Sequence, residues 1–151
     1  MKNILFLMSV ISLLFLACNK ELETPYDHPF FYIHQNNVSE ITVQANRNES
    51  VDYKVYFSTK TQFEAIEVDY EVVAGEGLKA GVDFEVVNTG SSLLFKPGVV
   101  EMPIKIRWIN HPVEEGKDNT LTIRLLRNDK NITLGLPGPD HKQSSLKITK
   151  I

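Results

Sequence analysis

The sequence predicts an all-β protein: two antiparallel sheets of about seven strands in total, packed as an immunoglobulin-like sandwich behind an N-terminal signal peptide. Two observations support this fold class. Short runs of the chain alternate apolar and polar residues, as half-buried strands do, and turn residues separate one run from the next. After the apolar N-terminal run, no segment of about a dozen residues shows helical periodicity.

Composition limits the number of domains, the class of partner and the way in which the core is held. The chain has 151 residues, 42% of them hydrophobic, which is enough for one domain with a real core. The net charge is −3 and the basic residues are scattered, so no nucleic-acid partner is predicted. Cys18 is the single cysteine, so no intrachain disulfide can form and packing must hold the core.

The first residues have the pattern of a signal peptide, predicted over residues 1–17. Residues 4–16 form an apolar run that is shorter than the about 20 residues of a transmembrane helix. The motif Phe15-Leu16-Ala17-Cys18 resembles a bacterial lipobox, which implies cleavage before Cys18 and lipid modification of its thiol. An ordinary cleaved signal peptide with an incidental cysteine is the alternative.

Residues 18–29 are expected to form a lipidated tether. The stretch 19–23 resembles the lysine-plus-acidic export signal of surface lipoproteins in Bacteroidota, although any exposed tether is charged and polar. Pro25 and Pro29 resist helix and strand and predict a short stiff spacer. The expected location is the outer membrane, contacted through the lipid, at the cell surface or, as the alternative, at its periplasmic face.

Residues 30–151 are predicted to form the sandwich. The first extended run, 30–33, is broken at Asn36-Asn37 and resumes by residue 41, which predicts a split first strand. In the later runs every second residue is apolar and is expected to face the core. These inward rows are Val51, Tyr53, Val55 and Phe57; Ile66, Val68, Tyr70 and Val72; Ile104, Ile106 and Trp108; Leu121, Ile123 and Leu125; and Leu146 and Ile148, with Ile151 as an optional last member.

Shorter pieces and loops separate those rows. Residues 84–87 and 93–95 are short extended pieces, and 58–64 is a loop that is polar except for Phe63. Residues 128–143 are predicted to be one long hairpin connection, because glycine and proline interrupt them repeatedly.

Three turn motifs follow one another at characteristic separations: Gly81-Val82-Asp83-Phe84, Phe95-Lys96-Pro97-Gly98 and Glu115-Gly116. Their order and wording resemble the Calx-beta domain over roughly residues 68–151. The resemblance implies an immunoglobulin-like sandwich, and some members of that family bind calcium at one end.

The resemblance also raises a calcium hypothesis. Asp83 matches the family's aspartate before the short strand and Glu115 its acidic residue after the long one, and Glu114 and Asp118 could add two more carboxylates. Calcium takes about 6–8 oxygen ligands. The family's calcium binders place consecutive aspartates after the long strand, where this chain has Ile109-Asn110-His111. We therefore expect no cofactor and assign Asp83 and Glu115 to turns, with calcium binding as the lesser alternative.

No catalytic constellation is predicted. Nucleophile-elbow, zinc-helix and phosphate-loop motifs are absent, and the four histidines are dispersed. Glu67, Asp69 and Glu71 share the outward face of one strand, but a flat strand face offers no substrate cleft. The protein is predicted not to be an enzyme.

The predicted function is a non-catalytic binding or accessory module at the membrane surface, with a glycan or another surface protein as its partner. The stretch 135–140 resembles the hairpin of small Bacteroidota surface lipoproteins with Calx-beta-like domains, which are often encoded among glycan-capture machinery. The competing hypothesis is a structural spacer or protein-interaction subunit without a soluble ligand.

Exposed aromatic rings would separate these hypotheses, because sugar binding uses rings as stacking platforms with polar neighbours. Tyr56 on an outward row and Trp108 at a strand end are the candidate ligand-binding residues, followed by Tyr26 and Phe31 near the tether. The alternatives are a core position for Trp108 and cross-strand packing for Tyr56.

Overall fold

The computed structural model describes residues 28–151, in which every regular element is a strand. The strands are β1 (Phe30–Ile33), β2 (Glu40–Val43), β3 (Ser50–Ser58), β4 (Ile66–Ala74), β5 (Phe84–Val86), β6 (Ser92–Phe95), β7 (Glu101–Trp108), β8 (Thr120–Asn128), β9 (Thr133–Leu134) and β10 (Ser145–Lys150). The predicted signal peptide, lipobox and most of the tether fall on residues 1–27, outside the described part. Within residues 28–151, no helix is long and apolar enough to cross a membrane.

Two sheets of five strands face each other, which confirms the predicted fold class. The first sheet has the order β5-β7-β3-β1-β9, and the second sheet has the order β2-β10-β8-β4-β6. Most neighbours are antiparallel. The parallel pairs are β1 with β9 and β2 with β10, and they lie at one edge of each sheet.

The first strand is split at Asn36-Asn37, as predicted, and its two halves join different sheets. Asn36 and Asn37 have φ values of 52° and 65°, a conformation that asparagine tolerates in tight turns. The backbone groups of Gln35 and Val38 bond each other around that turn, each at 3.1 Å. β1 therefore pairs with β3 in the first sheet, whereas β2 crosses to the second sheet and pairs with β10.

The inward rows predicted from alternation are buried, except that Val51 and Val72 at the ends of their rows are half-buried against the core. On β7, Ile104, Ile106 and Trp108 are each 0% exposed, while the side chains of Lys105 and Arg107 reach solvent. The same alternation of buried and accessible residues runs along β3, β4 and β8. A period of two residues therefore located the core correctly.

Two details differ from the prediction. Ten strands form where about seven were predicted, because short pieces such as β9, inside the predicted long hairpin connection, pair on their own. On β10 the inward row is Leu146, Ile148 and Lys150, and Ile151 is 51% exposed. Strand side chains alternate strictly, so residue 151 falls on the outer side and a lysine occupies the core position.

Aromatic packing joins the two sheets. Phe31 stacks on Phe57 within the first sheet at a centroid distance of 4.2 Å, and it meets Phe95 of the second sheet edge-on at 5.0 Å. Trp108 donates its indole N–H to the Tyr53 hydroxyl at 2.9 Å. The largest buried ring therefore has its polar atom satisfied inside the core.

The pair Ile106→Ala and Lys105→Ala tests the register of β7. Ile106→Ala should lower the free energy of unfolding by about 2–5 kcal/mol, because burial is lost and a cavity remains. Lys105→Ala should change it by no more than about 0.5 kcal/mol, as exposed substitutions do. The measurement is urea unfolding of a soluble chain from Thr24 onward, which contains the complete core because the buried hydrophobic residues described lie between 31 and 148. Equal effects would contradict a half-buried strand, and the inverse ranking would mean a register slipped by one residue.

Candidate functional site

A tight loop before β5 buries one carboxylate. Gly81 has a φ of 81°, and the backbone N–H of Asp83 donates to the Lys79 carbonyl at 2.9 Å. In return, Asp83 Oδ2 accepts the backbone N–H of Lys79 at 2.9 Å. These two bonds hold Asp83 in one orientation, with 3% of the residue exposed.

The buried carboxylate meets a buried ammonium from the other sheet. The side chain of Lys150, the last residue of β10, is 0% exposed. Its Nζ donates to Asp83 Oδ1 at 2.9 Å and to the Ile109 carbonyl at 3.0 Å. Asp83 precedes β5 and Ile109 follows β7, both of them strands of the first sheet, so these bonds tie the two sheets together at one end. His111 Nδ1 lies 3.1 Å from the same Asp83 oxygen.

These contacts set the charge of Asp83. Burial by itself raises its pKa, but the hydrogen bonds from Lys150 and from the Lys79 backbone outweigh burial and hold the pKa of Asp83 below its ordinary value. Asp83 is therefore a carboxylate at neutral pH. Because the folded-state pKa is lowered, its contribution to stability is present above the unfolded-state pKa of about 3.9 and is lost as the pH falls through the folded-state value.

The four carboxylates of the calcium hypothesis have separate surroundings. Asp83 bonds Lys150, Glu114 pairs with Lys117 at 2.6 Å, Asp118 accepts the Thr120 hydroxyl at 2.7 Å, and Glu115 is exposed on the same connection. Across residues 28–151, no three acidic, histidine or cysteine side chains form a group that could hold a metal ion. Among the described residues these four carboxylates therefore do not converge, and the Lys150 ammonium at Asp83 would repel a second cation there.

Aromatic side chains form a patch on the outward side of the first sheet. Phe30, Tyr32 and His34 occupy alternate outward positions from β1 onward, and Tyr56 lies directly opposite Tyr32 on β3. The Tyr56 ring centroid is 5.3 Å from that of Tyr32 and 4.8 Å from that of His34, and the ring planes are inclined by 26° and 15°. We name these four residues the aromatic face. All four are partly exposed.

Polar groups border the aromatic face. Lys54 and Glu101 form an ion pair at 2.6 Å, and Glu101 lies opposite Tyr56 in the β3–β7 register. His34 Nδ1 accepts the backbone N–H of Asn37 at 3.2 Å, so in the neutral ring the proton is assigned to Nε2, which can donate. The face therefore offers ring surfaces with hydrogen-bonding groups at their edges.

The structure separates the predicted candidate rings. Tyr56 belongs to the aromatic face, where it packs against cross-strand neighbours and stays partly exposed. Trp108 is 0% exposed, which corrects its assignment as a ligand-binding residue: the alternation of β7 continues to its last position and turns the indole inward. Phe31 is buried for the same reason on β1, and Tyr26 lies outside the described residues.

Sequence reasoning missed Lys150, Tyr32 and His34 as candidate functional residues. The alternation itself contained the signal, because Lys150 continues the inward row of β10 and the two ring residues stand on the outward row of β1. What the alternation did not indicate was which side chain each of them would meet.

Comparison with known proteins supports the fold. No family model matches the chain, and no curated protein matches it. Among solved structures, the crystal structure of the apo-form Calx CBD1 domain matches with a TM-score of 0.58 and 24% identity, over 83% of this chain and 99% of that one. The crystal structure of CBD12 from CALX1.2 matches with a TM-score of 0.59 and 23% identity, over 81% of this chain and 43% of that one. The Calx-beta-like sandwich predicted from the turn motifs is therefore confirmed as a fold.

Lys150→Met tests the buried ion pair. Removing the ammonium leaves the Asp83 carboxylate buried without its counter-charge, and breaking a buried pair in this way costs about 3–5 kcal/mol. We expect the free energy of unfolding of the soluble chain at pH 7 to fall by about that amount in a urea titration.

The double variant Asp83→Asn/Lys150→Met is the matched control. The asparagine keeps an oxygen that can accept the Lys79 N–H but carries no charge, so the double variant should recover most of the stability lost in the single variant. A double variant as unstable as Lys150→Met would attribute the loss to packing of the methionine instead of to the unpaired carboxylate.

Proposed function

We propose that this protein is a surface lipoprotein whose β-sandwich binds a glycan without transforming it, through the aromatic face of the first sheet. The observation that carries the proposal is the group of nearly parallel, partly exposed rings of Tyr32, His34 and Tyr56 beside the Lys54–Glu101 ion pair. Rings of this kind receive the C–H face of a sugar, and neighbouring polar groups bond its hydroxyls.

The extent of the aromatic face supports a ligand. Single exposed apolar residues are normal on protein surfaces, whereas contiguous ones mark interaction sites. One cross-strand pair, Tyr32 with Tyr56, is enough to help β1 pair with β3. Phe30 and His34 extend the rings along β1, over about 13 Å at the usual strand rise. A ligand that lies flat across several rings, such as an oligosaccharide, suits this shape.

The proposed anchor explains how the module would reach its ligand. Lipid chains on Cys18, at about 0.8 kcal/mol for each buried methylene, would hold the protein stably on a membrane. Residues 19–28 span at most about 33–36 Å when extended, so the sandwich would stand close to the lipid surface. We place it at the outer membrane facing outward, as an accessory module that retains glycans near their uptake machinery.

Cys18→Ala tests the anchor. Without the thiol no diacylglycerol can be attached, so the unprocessed precursor should accumulate and lipid attachment should disappear. Mass spectrometry of the protein from a bacterial membrane fraction, after labelling with a tagged fatty acid, measures both. Lys20→Ala, two residues further along, is the control and should stay lipidated. A mature Cys18→Ala protein with normal lipid attachment would contradict the anchor.

Tyr56→Ala and Tyr32→Ala test the aromatic face. The soluble chain from Thr24 onward is screened on an array of bacterial and plant polysaccharides, and affinity for the best binder is then measured by calorimetry. Losing one stacked ring removes about 0.5–1.5 kcal/mol, so each variant should bind roughly two- to tenfold more weakly. Leu94→Ala, at an exposed apolar position of the second sheet, should bind as the original chain does.

Two outcomes would reject glycan binding at this face. One is unchanged affinity in both tyrosine variants while their melting temperatures stay normal. The other is that no polysaccharide binds while the lipidated protein copurifies with another outer-membrane protein, which would favour the interaction-subunit alternative.

A further inference from the structure

The described chain joins the sandwich at one end, which we call the near end. β1 begins there at Phe30, and the connections 59–65, 96–100 and 129–132 surround that point. The strand register places them together, because the residues beside them pair directly: Phe30 with Ser58 and Thr133, Tyr56 with Glu101, and Ile66 with Phe95. An anchor that precedes residue 28 is therefore attached at the near end.

Two apolar side chains project into solvent at the near end. Phe63 is 84% exposed, the most exposed of the large hydrophobic residues in the described part of the chain, and Val100 is 52% exposed. Phe63 and Pro29 border the same opening between the sheets. The Phe57 N–H donates to the Val100 carbonyl at 2.8 Å, which holds Val100 beside the end of β3. The point where the chain joins the sandwich thus has apolar side chains on two neighbouring connections, and their burial in an apolar medium is favourable.

Charge distinguishes the near end from the far end, where Asp83 and Lys150 pair. The charged residues of the three near-end connections are Lys60, Lys96, Lys130, Glu64 and Asp129. The connections 44–49, 75–83 and 109–119 surround the far end, and their charged residues are Glu49, Glu76, Asp83, Glu114, Glu115, Asp118, Arg47, Lys79 and Lys117. The near end is therefore slightly basic, whereas the far end stays acidic after Lys150 balances Asp83. An anionic lipid surface attracts the first and repels the second within about 10 Å.

The length of the tether also favours the near end. Residues 19–28 span at most about 33–36 Å when extended. β3 has nine residues and runs from the far end to the near end, a length of about 30 Å at the usual strand rise. The far end could therefore touch a membrane anchored at Cys18 only if the sandwich inverted and the tether were stretched almost to its limit.

We infer that the near end rests on the lipid surface to which Cys18 is anchored, with Phe63 inserted among the upper acyl chains and Lys96 beside the headgroup phosphates. The inference rests on the proposed lipid anchor and adds the orientation of the sandwich on it. A short tether gives an effective concentration on the order of millimolar, so a contact that would be weak between separate partners is enough. The sheets then stand upright on the membrane, and the aromatic face stays open at the side.

The test reproduces the anchor chemically. Cys18 is the single cysteine, so a chain of residues 18–151 can be coupled through its thiol to a maleimide lipid in vesicles of phosphatidylethanolamine and phosphatidylglycerol. Three variants place a reporter tryptophan at exposed apolar positions: Phe63→Trp at the near end, Val82→Trp at the far end and Leu94→Trp on the second sheet. Quenching of their fluorescence by brominated acyl chains measures contact with the lipid. Trp108 is 0% exposed and adds the same background to each variant.

Phe63→Trp should be quenched at least about threefold more strongly than the two controls, with melting temperatures recorded to confirm folding. Val100→Trp should also be quenched, and adding Phe63→Ser to it should remove most of that quenching, because the inserted ring is lost. Adding Lys96→Glu to Phe63→Trp should lower the quenching at least about twofold on these vesicles. On vesicles of phosphatidylcholine the same charge change should have little effect, because the surface there is neutral.

Three outcomes would overturn the inference and leave glycan binding standing. Equal quenching of Phe63→Trp, Val82→Trp and Leu94→Trp would show a sandwich without a preferred orientation. Strongest quenching of Val82→Trp would mean that the far end faces the lipid. Quenching of none of the three would mean that the sandwich stands away from the surface.

Two further outcomes connect this inference with the proposed function. Strongest quenching of a Tyr56→Trp variant would place the aromatic face on the lipid, which would overturn the inference and count against glycan binding there. Absence of lipid on Cys18 in cells, as the Cys18→Ala comparison measures it, would remove the anchor and the inference with it. Binding of polysaccharides by the soluble chain is measured without any membrane and is decided separately.

Discussion

Burial of every second side chain between two sheets is the constraint on which this structure depends. The chain has one cysteine, so packing across the sheets, as between Phe31 and Phe95, must hold the fold. Because only one parity of each strand can face the core, the same packing decides which residues reach solvent. The aromatic face is the outward parity of β1 and β3, and it exists because Phe31 and Val55 occupy the inward one.

Neither sheet covers the two ends of the sandwich, and the side chains found at the two ends differ. At one end Lys150 closes the gap with a buried charge that meets Asp83 and the Ile109 carbonyl. A buried ion pair alone is weak evidence of stability, since desolvation offsets much of its attraction. Here the Lys79 N–H bond to Asp83 and the Lys150 bond to the Ile109 carbonyl add to the ion pair and fix β10 to the first sheet. At the other end the two sheets leave an apolar opening lined by Phe57 and Ile66.

The likeness to the Calx CBD1 domain is a likeness of fold, because sheets determine a fold whereas loop side chains determine what it binds. In this chain the loop after β7 contributes two groups near Asp83. The Ile109 carbonyl accepts a hydrogen bond from Lys150, and the His111 ring lies against the Asp83 carboxylate. The positive charge beside Asp83 is the ammonium of Lys150. Ligand binding, as we propose it, takes place on the outward face of the first sheet.

The sequence by itself determined the longer strands, their inward parity and the split at Asn36-Asn37, because alternation and turn chemistry are properties of neighbouring residues. It predicted Tyr56 outward for that reason, and it could have placed Lys150 inward by the same parity. The order and wording of the turn motifs resemble the Calx-beta domain, and that resemblance indicated the sandwich. Tertiary structure alone decided that Lys150 meets Asp83, 67 residues away along the chain, because that contact requires knowing which sheet β10 joins and which loop closes over its end. The ring contacts of Tyr56 and the opening beside Phe57 and Ile66 likewise depend on pairing between strands distant in sequence, and local periodicity contains no information about such pairing.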